Sequence, residues 1–494
     1  MRRMATVDGT TARNILAKEQ ALAKPPRQGG EQFVAFPIRF NIIPLMNQTV
    51  STEDLNRRAF VQRSSFAAML ATLGAVELRA QAQAPAEKKA AFTVNVAVIG
   101  LGPWGREIVN ALGRTKEAKL VAICDTYPAM LKRSADNAPG AAQESDYKKV
   151  LANKDVQAVV IATPTHQHKQ LVTEALAAGK HVYCEAPLAH TVEDARAIAQ
   201  AAKNTPTAVF QAGLQLRSDT QRHFLLQFVR SGALGKNIFA RAQWHKKQSW
   251  RKASPNPDRE REINWHLRQE QSAGLVGEIG IHQVDNNSWF LKDQPVAVTG
   301  FGGILHWTDG RTVADTAQCV FEYGQGVNFS YDISLANSFD SDYEMIYGTE
   351  AAVLMRGAKA WMFKESDAPL LGWEVYARKD NFQKETGIAL VANATKLAAQ
   401  GDQAEETSPV NTSLLSALEA FLTNANEVTN AVEDFKATFG DADKAALAKH
   451  LVSVPRQLAA TAQDGFEATV SVLKASEAVA KKTRIVFAKE WFQV

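Results

Sequence analysis

Three ionisable residues fall within the stretch "GEIGIHQVD": Glu278, His282 and Asp285. Read as one helix they occupy i, i+4 and i+7, one above another on a single face. A carboxylate stacked on an imidazole can orient the ring or raise its pKa, as a general base requires. His282 is therefore the candidate base, with the two acids as its partners. The same stripe also suits a buried histidine whose neighbours fix its tautomer. His166 and His168, in "ATPTHQH", are a second pair of ring nitrogens, but no further ligands accompany them and no metal site is expected. Cys124, Cys184 and Cys319 form no metal pattern, and their odd number gives no disulfide framework.

A second constellation suits a phosphate-bearing ligand. In "TVNVAVIGLGPWGREIVNAL", Val94, Val96, Val98 and Ile99 read as a buried strand, and Ile108, Val109 and Leu112 as a helix face. Between them stand Gly100, Gly102, Trp104 and Gly105. Glycines at this spacing admit a tight turn, close approach of a pyrophosphate and helix–strand packing. The next strand, "KLVAICD", ends in Asp125, 20 residues after Gly105. A carboxylate there bonds ribose hydroxyls and repels a 2′-phosphate, so NAD is expected over NADP.

The elements that must carry these residues alternate. Val156–Ala162 reads as a buried strand. Leu171, Ala175 and Leu176 share a helix face closed by Gly179, "HVYCE" is the next strand, and Thr191 caps another helix. Strands and helices in alternation predict a parallel doubly wound sheet, with ligands beyond the strand C-termini at Thr163-Pro164 and Glu185-Ala186-Pro187. Further on the pattern changes. "NIFARAQWHK" alternates, and "AQCVFEYGQGVNFSYDI" reads as two strands about a Gly-Gln-Gly turn, hence an antiparallel pair. The expected fold is α/β: an N-terminal Rossmann sheet, then an α/β domain with a large, mostly antiparallel open sheet. One face of that sheet is free for helices or a partner subunit, which predicts a homo-oligomer, dimer or tetramer. Leu414, Leu418, Phe421 and Leu422 have helical spacing and predict an added helical layer of structural rather than catalytic role.

The GxGxxG turn with Trp104, Asp125, "ATPTHQH", "AGKHVYCEAPLA" and "EIGIHQVD" together resemble the Gfo/Idh/MocA oxidoreductase family, over roughly residues 94–360 and 464–487. The resemblance implies a Rossmann domain followed by an open-sheet domain, and NAD(P)-dependent oxidation of a sugar or cyclitol hydroxyl. It implies cofactor contacts from Gly100, Gly102, Trp104, Gly105, Asp125, Thr163, Pro164, His168, Glu185 and Ala186. It also places Glu278 and His282 at the substrate hydroxyl, glutamate standing where the family has aspartate. The departure is Ala186. The family carries a lysine there, in Glu-Lys-Pro, to hydrogen-bond the reacting hydroxyl. A methyl group cannot donate, and loss of one such donor costs about 10²–10³ in rate. His245, Lys246, Lys247 and Tyr343 are candidate substitutes by position.

The leader adds a constraint. Arg57-Arg58, the apolar run Phe66–Val76 and the small residues of "AQAQA" form the pattern of a signal peptide, and the arginine pair resembles the twin-arginine type. The run is too short to span a bilayer of about 30 Å. A periplasmic or otherwise exported protein has no free NAD pool, so its cofactor must be retained and end each cycle as it began. Three readings follow: ping-pong oxidoreduction of two sugars, redox-neutral glycoside cleavage by oxidation, elimination, hydration and reduction, and a catalytically silent NAD- or sugar-binding protein. Residues 1–84 carry 11 Lys/Arg and 6 Asp/Glu, leaving 45 against 46 in the body, a balance that excludes a nucleic-acid footprint. The expected divisions are a leader at 1–84, a Rossmann domain at 92–215, a substrate domain at 216–380, and at 381–494 a helical extension with a returning helix and strand.

Overall fold

The computed structural model describes residues 92–494, apart from 372–373, 375–376, 383–384, 392–411 and 442. The export-signal pattern lies outside the described residues. The first half builds β1 (Val94–Ile99), α1 (Pro103–Leu112), β2 (Ala118–Cys124), α2 (Pro128–Ala135), β3 (Ala142–Glu144), α3 (Tyr147–Ala152), β4 (Ala158–Ile161), α4 (His168–Ala177), β5 (His181–Cys184), α5 (Val192–Lys203) and β6 (Phe210–Ala212). The six strands pair in parallel in the order β3-β2-β1-β4-β5-β6. Helices cover both faces, which is why β4 and β5 are buried at every residue instead of alternating. Strand order reverses between β1 and β4, and a crevice opens outside the C-terminal ends of strands at such a point. Thr191 caps α5 by accepting a hydrogen bond from the Asp194 N–H at 3.2 Å.

The second half continues with α6 (Thr220–Arg230), β7 (Asn237–His245), α7 (Pro257–Ile263), α8 (Gly274–Glu278), α9 (Ile281–Leu291), β8 (Pro295–Gly303), β9 (Thr316–Tyr323), β10 (Asn328–Ser334), β11 (Asp342–Gly348), β12 (Ala351–Arg356), β13 (Lys359–Lys364), β14 (Lys379–Phe382) and β15 (Glu385–Ala389). Then come α10 (Thr412–Phe439), α11 (Lys444–Val452), α12 (Ala462–Lys481) and β16 (Arg484–Val486). Ten strands join in the order β14-β15-β13-β12-β11-β7-β10-β9-β8-β16. Among the described residues of this sheet only the β7–β10 pairing is parallel. The expected antiparallel pair is β9–β10, with Phe321 opposite Phe329 and Gly326 of its turn at φ +80°.

Alternation sets the faces. Ala317, Cys319, Phe321 and Tyr323 of β9, with Phe329, Tyr331 and Ile333 of β10, point inward. The returning helix α12 packs on that inner side. It lies so close to β8 that a Cβ on Gly300 would come within 2.8 Å of the Val479 side chain. The α10 residues Leu414, Leu418, Phe421 and Leu422 are buried in one cluster with Val94, Ile108 and Tyr183. This helical layer is thus part of the Rossmann domain's core.

Candidate active site

One cleft of about 1640 Å³ runs from the switch point of the parallel sheet to the inner side of the large sheet. On its Rossmann wall the glycines answer to separate demands. Gly100 has φ +95°, and Gly105 packs so tightly that a Cβ would fall 1.9 Å from the Gly100 carbonyl oxygen. Gly102 is the opposite case: a Cβ there would meet nothing within 4 Å and would project into open space. It precedes α1, whose N-terminus has no side-chain cap and no acid in its first turn. Free backbone N–H groups and a bare glycine suit a pyrophosphate. The Asp125 carboxylate accepts from the Leu101 and Tyr127 N–H groups, both at 2.8 Å. Each oxygen keeps lone-pair capacity for a ribose hydroxyl.

Three further groups line this wall. Thr163 Oγ1 is buried and has no hydrogen-bond partner. Glu185 is buried with Oε1 unpartnered; burial pushes its pKa up to about 7, against the Trp104 side chain and the Ala186 N–H. His168 is buried with Nδ1 3.1 Å from the Pro187 carbonyl and Nε2 3.0 Å from that of Thr163. Burial lowers its pKa to about 4, so the neutral ring donates to one of these two carbonyls. Any contact of His168 with a ligand is left to ring carbons. An uncapped helix, a bare glycine and orphaned polar atoms fit a dinucleotide.

The opposite wall departs from the expected stripe. Glu278 and His282 are not on one continuous helix. Glu278 ends α8, and α9 begins at Ile281. The helix is interrupted over residues 279–280, and at Gly280 a Cβ would come within 2.6 Å of the Tyr331 ring. The two acids consequently serve other partners. Glu278 accepts from the Thr165 hydroxyl at 3.0 Å, the Ser272 hydroxyl at 3.1 Å and the Ala273 N–H at 2.8 Å. Asp285 forms a two-pronged pair with Arg217, at 2.8 and 3.0 Å. His282 Nδ1 is buried without a partner, and burial lowers the ring's pKa to about 4. The imidazole is neutral, with no carboxylate raising it. Glu278 is the poised acid instead: burial outweighs its three hydrogen bonds and pushes its pKa up to about 7.

Ala186 lines this cleft together with Thr165, Glu278 and His282. None of the four candidate substitutes for its missing lysine does. His245 Nδ1 lies 3.3 Å from the Phe339 carbonyl, and the Tyr343 ring carries the Arg356 guanidinium. Among the described residues no group of three or more His, Cys, Asp or Glu could hold a metal ion. Sequence reading missed Thr165 and Arg217. Thr165 is adjacent to a motif but its partner is 113 residues away, and Arg217 joins Asp285 and Asp464 across three segments. Neither link has a local signature. Trp244 and Trp265 also line the cleft as aromatic surfaces.

Residues 94–212 match the oxidoreductase family with an NAD-binding Rossmann fold, and residues 224–354 the GFO/IDH/MocA C-terminal domain. The chain is 25% identical over 265 residues to 2,7-anhydro-N-acetylneuraminate hydratase of Mediterraneibacter gnavus, covering 53% of this chain and 67% of that one. It is 34% identical over 152 residues to inositol 2-dehydrogenase of an Arthrobacter species, covering 31% and 45%. The fold is shared with an oxidoreductase domain protein from Kribbella flavida, at TM-score 0.62, 17% identity and coverage of 81% and 100%. It is shared also with levoglucosan dehydrogenase in complex with NADH, at TM-score 0.60, 18% identity and coverage of 80% and 99%. The glycine cradle, the two sheets and these matches agree: the chain belongs to the Gfo/Idh/MocA family of oxidoreductases and is an NAD-binding enzyme.

Proposed function

We propose that this enzyme oxidises a ring hydroxyl of a sugar or glycoside with a tightly held NAD, and that the same cofactor restores the ring after a redox-neutral cleavage or hydration. The observation that carries this reading is the company around Ala186. Where a lysine would bind the reacting hydroxyl there is a methyl group, and in the same cleft stand a neutral histidine and a glutamate poised near pH 7. The relative named a hydratase supports the redox-neutral form, since addition of water changes no net oxidation state. Gly100, Gly102, Gly105, Asp125, Thr163 and Glu185 would hold the cofactor, which supplies a hydride acceptor and donor.

The chain's own groups handle protons. His282, neutral at physiological pH, accepts the hydroxyl proton as the carbinol carbon is oxidised. A ketone in the ring acidifies the adjacent C–H, and Glu278 in its ionised form removes that proton while the substituent departs with the bonding pair. Protonated Glu278 then returns a proton when water adds. Thr165 and Ser272 hold the carboxyl oriented between these steps. Trp244 and Trp265 supply faces on which the apolar side of a sugar ring can rest.

The test uses purified full-length protein with no cofactor added: the bound nucleotide is released and identified, and a panel of nitrophenyl glycosides is assayed. Bound NAD and nitrophenol release without build-up of NADH is the expected result. Reduction of the bound nucleotide by sugars without aglycone release would replace this reading with ping-pong oxidoreduction of two sugars. No bound nucleotide and no turnover would overturn it.

The twin-arginine pattern supports export with the cofactor already loaded. No helix among the described residues is long and apolar enough to cross a membrane. Phe301 and Val320 are exposed on the large sheet, and Phe239 stacks on Tyr347 with centroids 4.0 Å apart; this face supports a homo-oligomer.

A further inference from the structure

The segment between β7 and α8 crosses from the substrate domain to the Rossmann wall. Two of its cations, Lys252 and Arg259, line the same cleft as the glycine turn and Asp125. Arg106 of α1 lines it too. The crossing is pinned. Arg259 lies over the Tyr127 ring at 4.4 Å from its centroid, two residues beyond Asp125. The loop is also held in shape from below. The buried Asn264 side chain accepts from the Lys252 N–H at 2.8 Å and donates to the carbonyls of Lys252 and Glu260, at 2.7 and 2.8 Å. His266 Nε2 lies 3.1 Å from the Trp250 carbonyl, and Arg311 donates to the Ser249 carbonyl.

Among the described residues these charges are only partly paired. Arg259 pairs with Glu262 at 3.0 Å, and Arg106 donates to the Met130 sulfur at 3.5 Å. Lys252 Nζ has no hydrogen-bond or ion-pair partner among the described residues. The Lys252 side chain is exposed at the cleft; desolvation, then the charges of Arg106 and Arg259, lower its pKa. An ordered loop that brings an unpaired lysine to the cleft lined by the bare glycine turn and Arg106 suits an anionic ligand.

We infer that residues 249–264 form a clamp over the dinucleotide groove, in which Lys252 and Arg106 bind the cofactor's phosphates while Arg259 locks the clamp onto Tyr127. This rests on the reading of the cleft as the NAD site and accounts for retention of the cofactor. Because the clamp comes from the substrate domain, release of the dinucleotide requires the two domains to part or the loop to open. Binding is therefore slow to reverse and sensitive to salt.

The test measures NADH, ADP-ribose and adenosine binding to the full-length protein, stripped of nucleotide, by quenching of tryptophan fluorescence. Lys252→Met removes the charge and keeps the length; Lys252→Arg restores it. Lys246→Met, outside the cleft, is the control. Loss of one charge-assisted phosphate contact weakens binding about tenfold or more. The expected result is that loss for NADH and ADP-ribose with Lys252→Met, its recovery with Lys252→Arg, and unchanged adenosine binding in all three. Arg259→Met should raise the dissociation rate of NADH with little change in thermal midpoint. Unaltered NADH affinity and dissociation in Lys252→Met and Arg259→Met would overturn the clamp while leaving the cofactor site standing. Failure of the unsubstituted protein to bind NADH would overturn both.

Discussion

The two walls of the cleft are built on different logic. On the Rossmann wall the decisive residues are neighbours in the chain: Gly100, Gly102 and Gly105 occupy one turn between one strand and one helix. On the substrate wall they are brought together from afar. Asp285 is held by Arg217, 68 residues away, and Glu278 by Thr165, 113 residues away. The difference teaches where each kind of function is vulnerable. A local turn fails when its backbone is crowded. A long-range network fails when one partner is removed and a buried charge is left behind.

The largest effect should come from His282→Ala, if the substrate wall carries the chemistry. Turnover of a nitrophenyl glycoside or a reporter sugar should fall about 10²–10⁴-fold with NADH affinity unchanged. A fall of less than tenfold would remove His282 from the mechanism. Next is Arg217→Met, which strands Asp285 in the interior. Breaking a buried pair in this way costs about 3–5 kcal/mol, visible as a lower midpoint in urea unfolding. Stability within 1 kcal/mol of the parent, on the order of one weak hydrogen bond, would mean that Asp285 needs no such partner.

A paired comparison sharpens the Rossmann wall. Gly105→Ala forces a methyl group into the Gly100 carbonyl and should cost about 1–3 kcal/mol of stability. Gly102→Ala meets open space, so its unfolding midpoint should stay put while NADH affinity falls, because the methyl occupies the pyrophosphate's place. Equal effects of the two on stability would contradict the separate demands assigned to them.

The smallest and most diagnostic effect concerns pH. With Glu278 near 7 and His282 near 4, kcat/KM should rise as pH increases through about 7 and show no histidine inflection between pH 5 and 6.5. Glu278→Gln should flatten that rise. Stability carries the opposite sign for the acid. Its folded pKa lies above the unfolded 4.5, so the folded state holds its proton longer and loses stability as pH rises from about 4.5 past 7. His282 has a depressed folded pKa, so its contribution is lost as pH falls from 6.5 towards 4. Unfolding midpoints measured at pH 5 and 8 for the parent and Glu278→Gln separate the two: the substitution should relieve the loss at pH 8.

Much of the fold was legible because it is written in short-range periodicity. The buried runs of β1 and β4, the alternation of β9 and β10 about Gly326, and the spacing of Leu414, Leu418, Phe421 and Leu422 each follow from residues within one element. The Glu278/His282/Asp285 stripe was misread for the same reason. Helical spacing placed three side chains on one face, but the helix is interrupted over residues 279–280, where Gly280 packs against Tyr331, a residue 51 positions on. The substitutes proposed for the missing lysine failed likewise, since a place at the end of β7, just beyond it or on β11 says nothing about which side chains reach the cleft.

What the sequence determined by itself is the nucleotide-binding turn, the two-sheet architecture, and the absence of a lysine at Ala186. These depend on which residues exist and on contacts within a few positions. What the tertiary structure decided is the state of the groups it brings together: a neutral His282, a Glu278 shared with Thr165, an Asp285 committed to Arg217, and Lys252 brought to the cleft. Protonation and pairing depend on desolvation and on charges from distant segments, and those quantities exist only once the chain has folded.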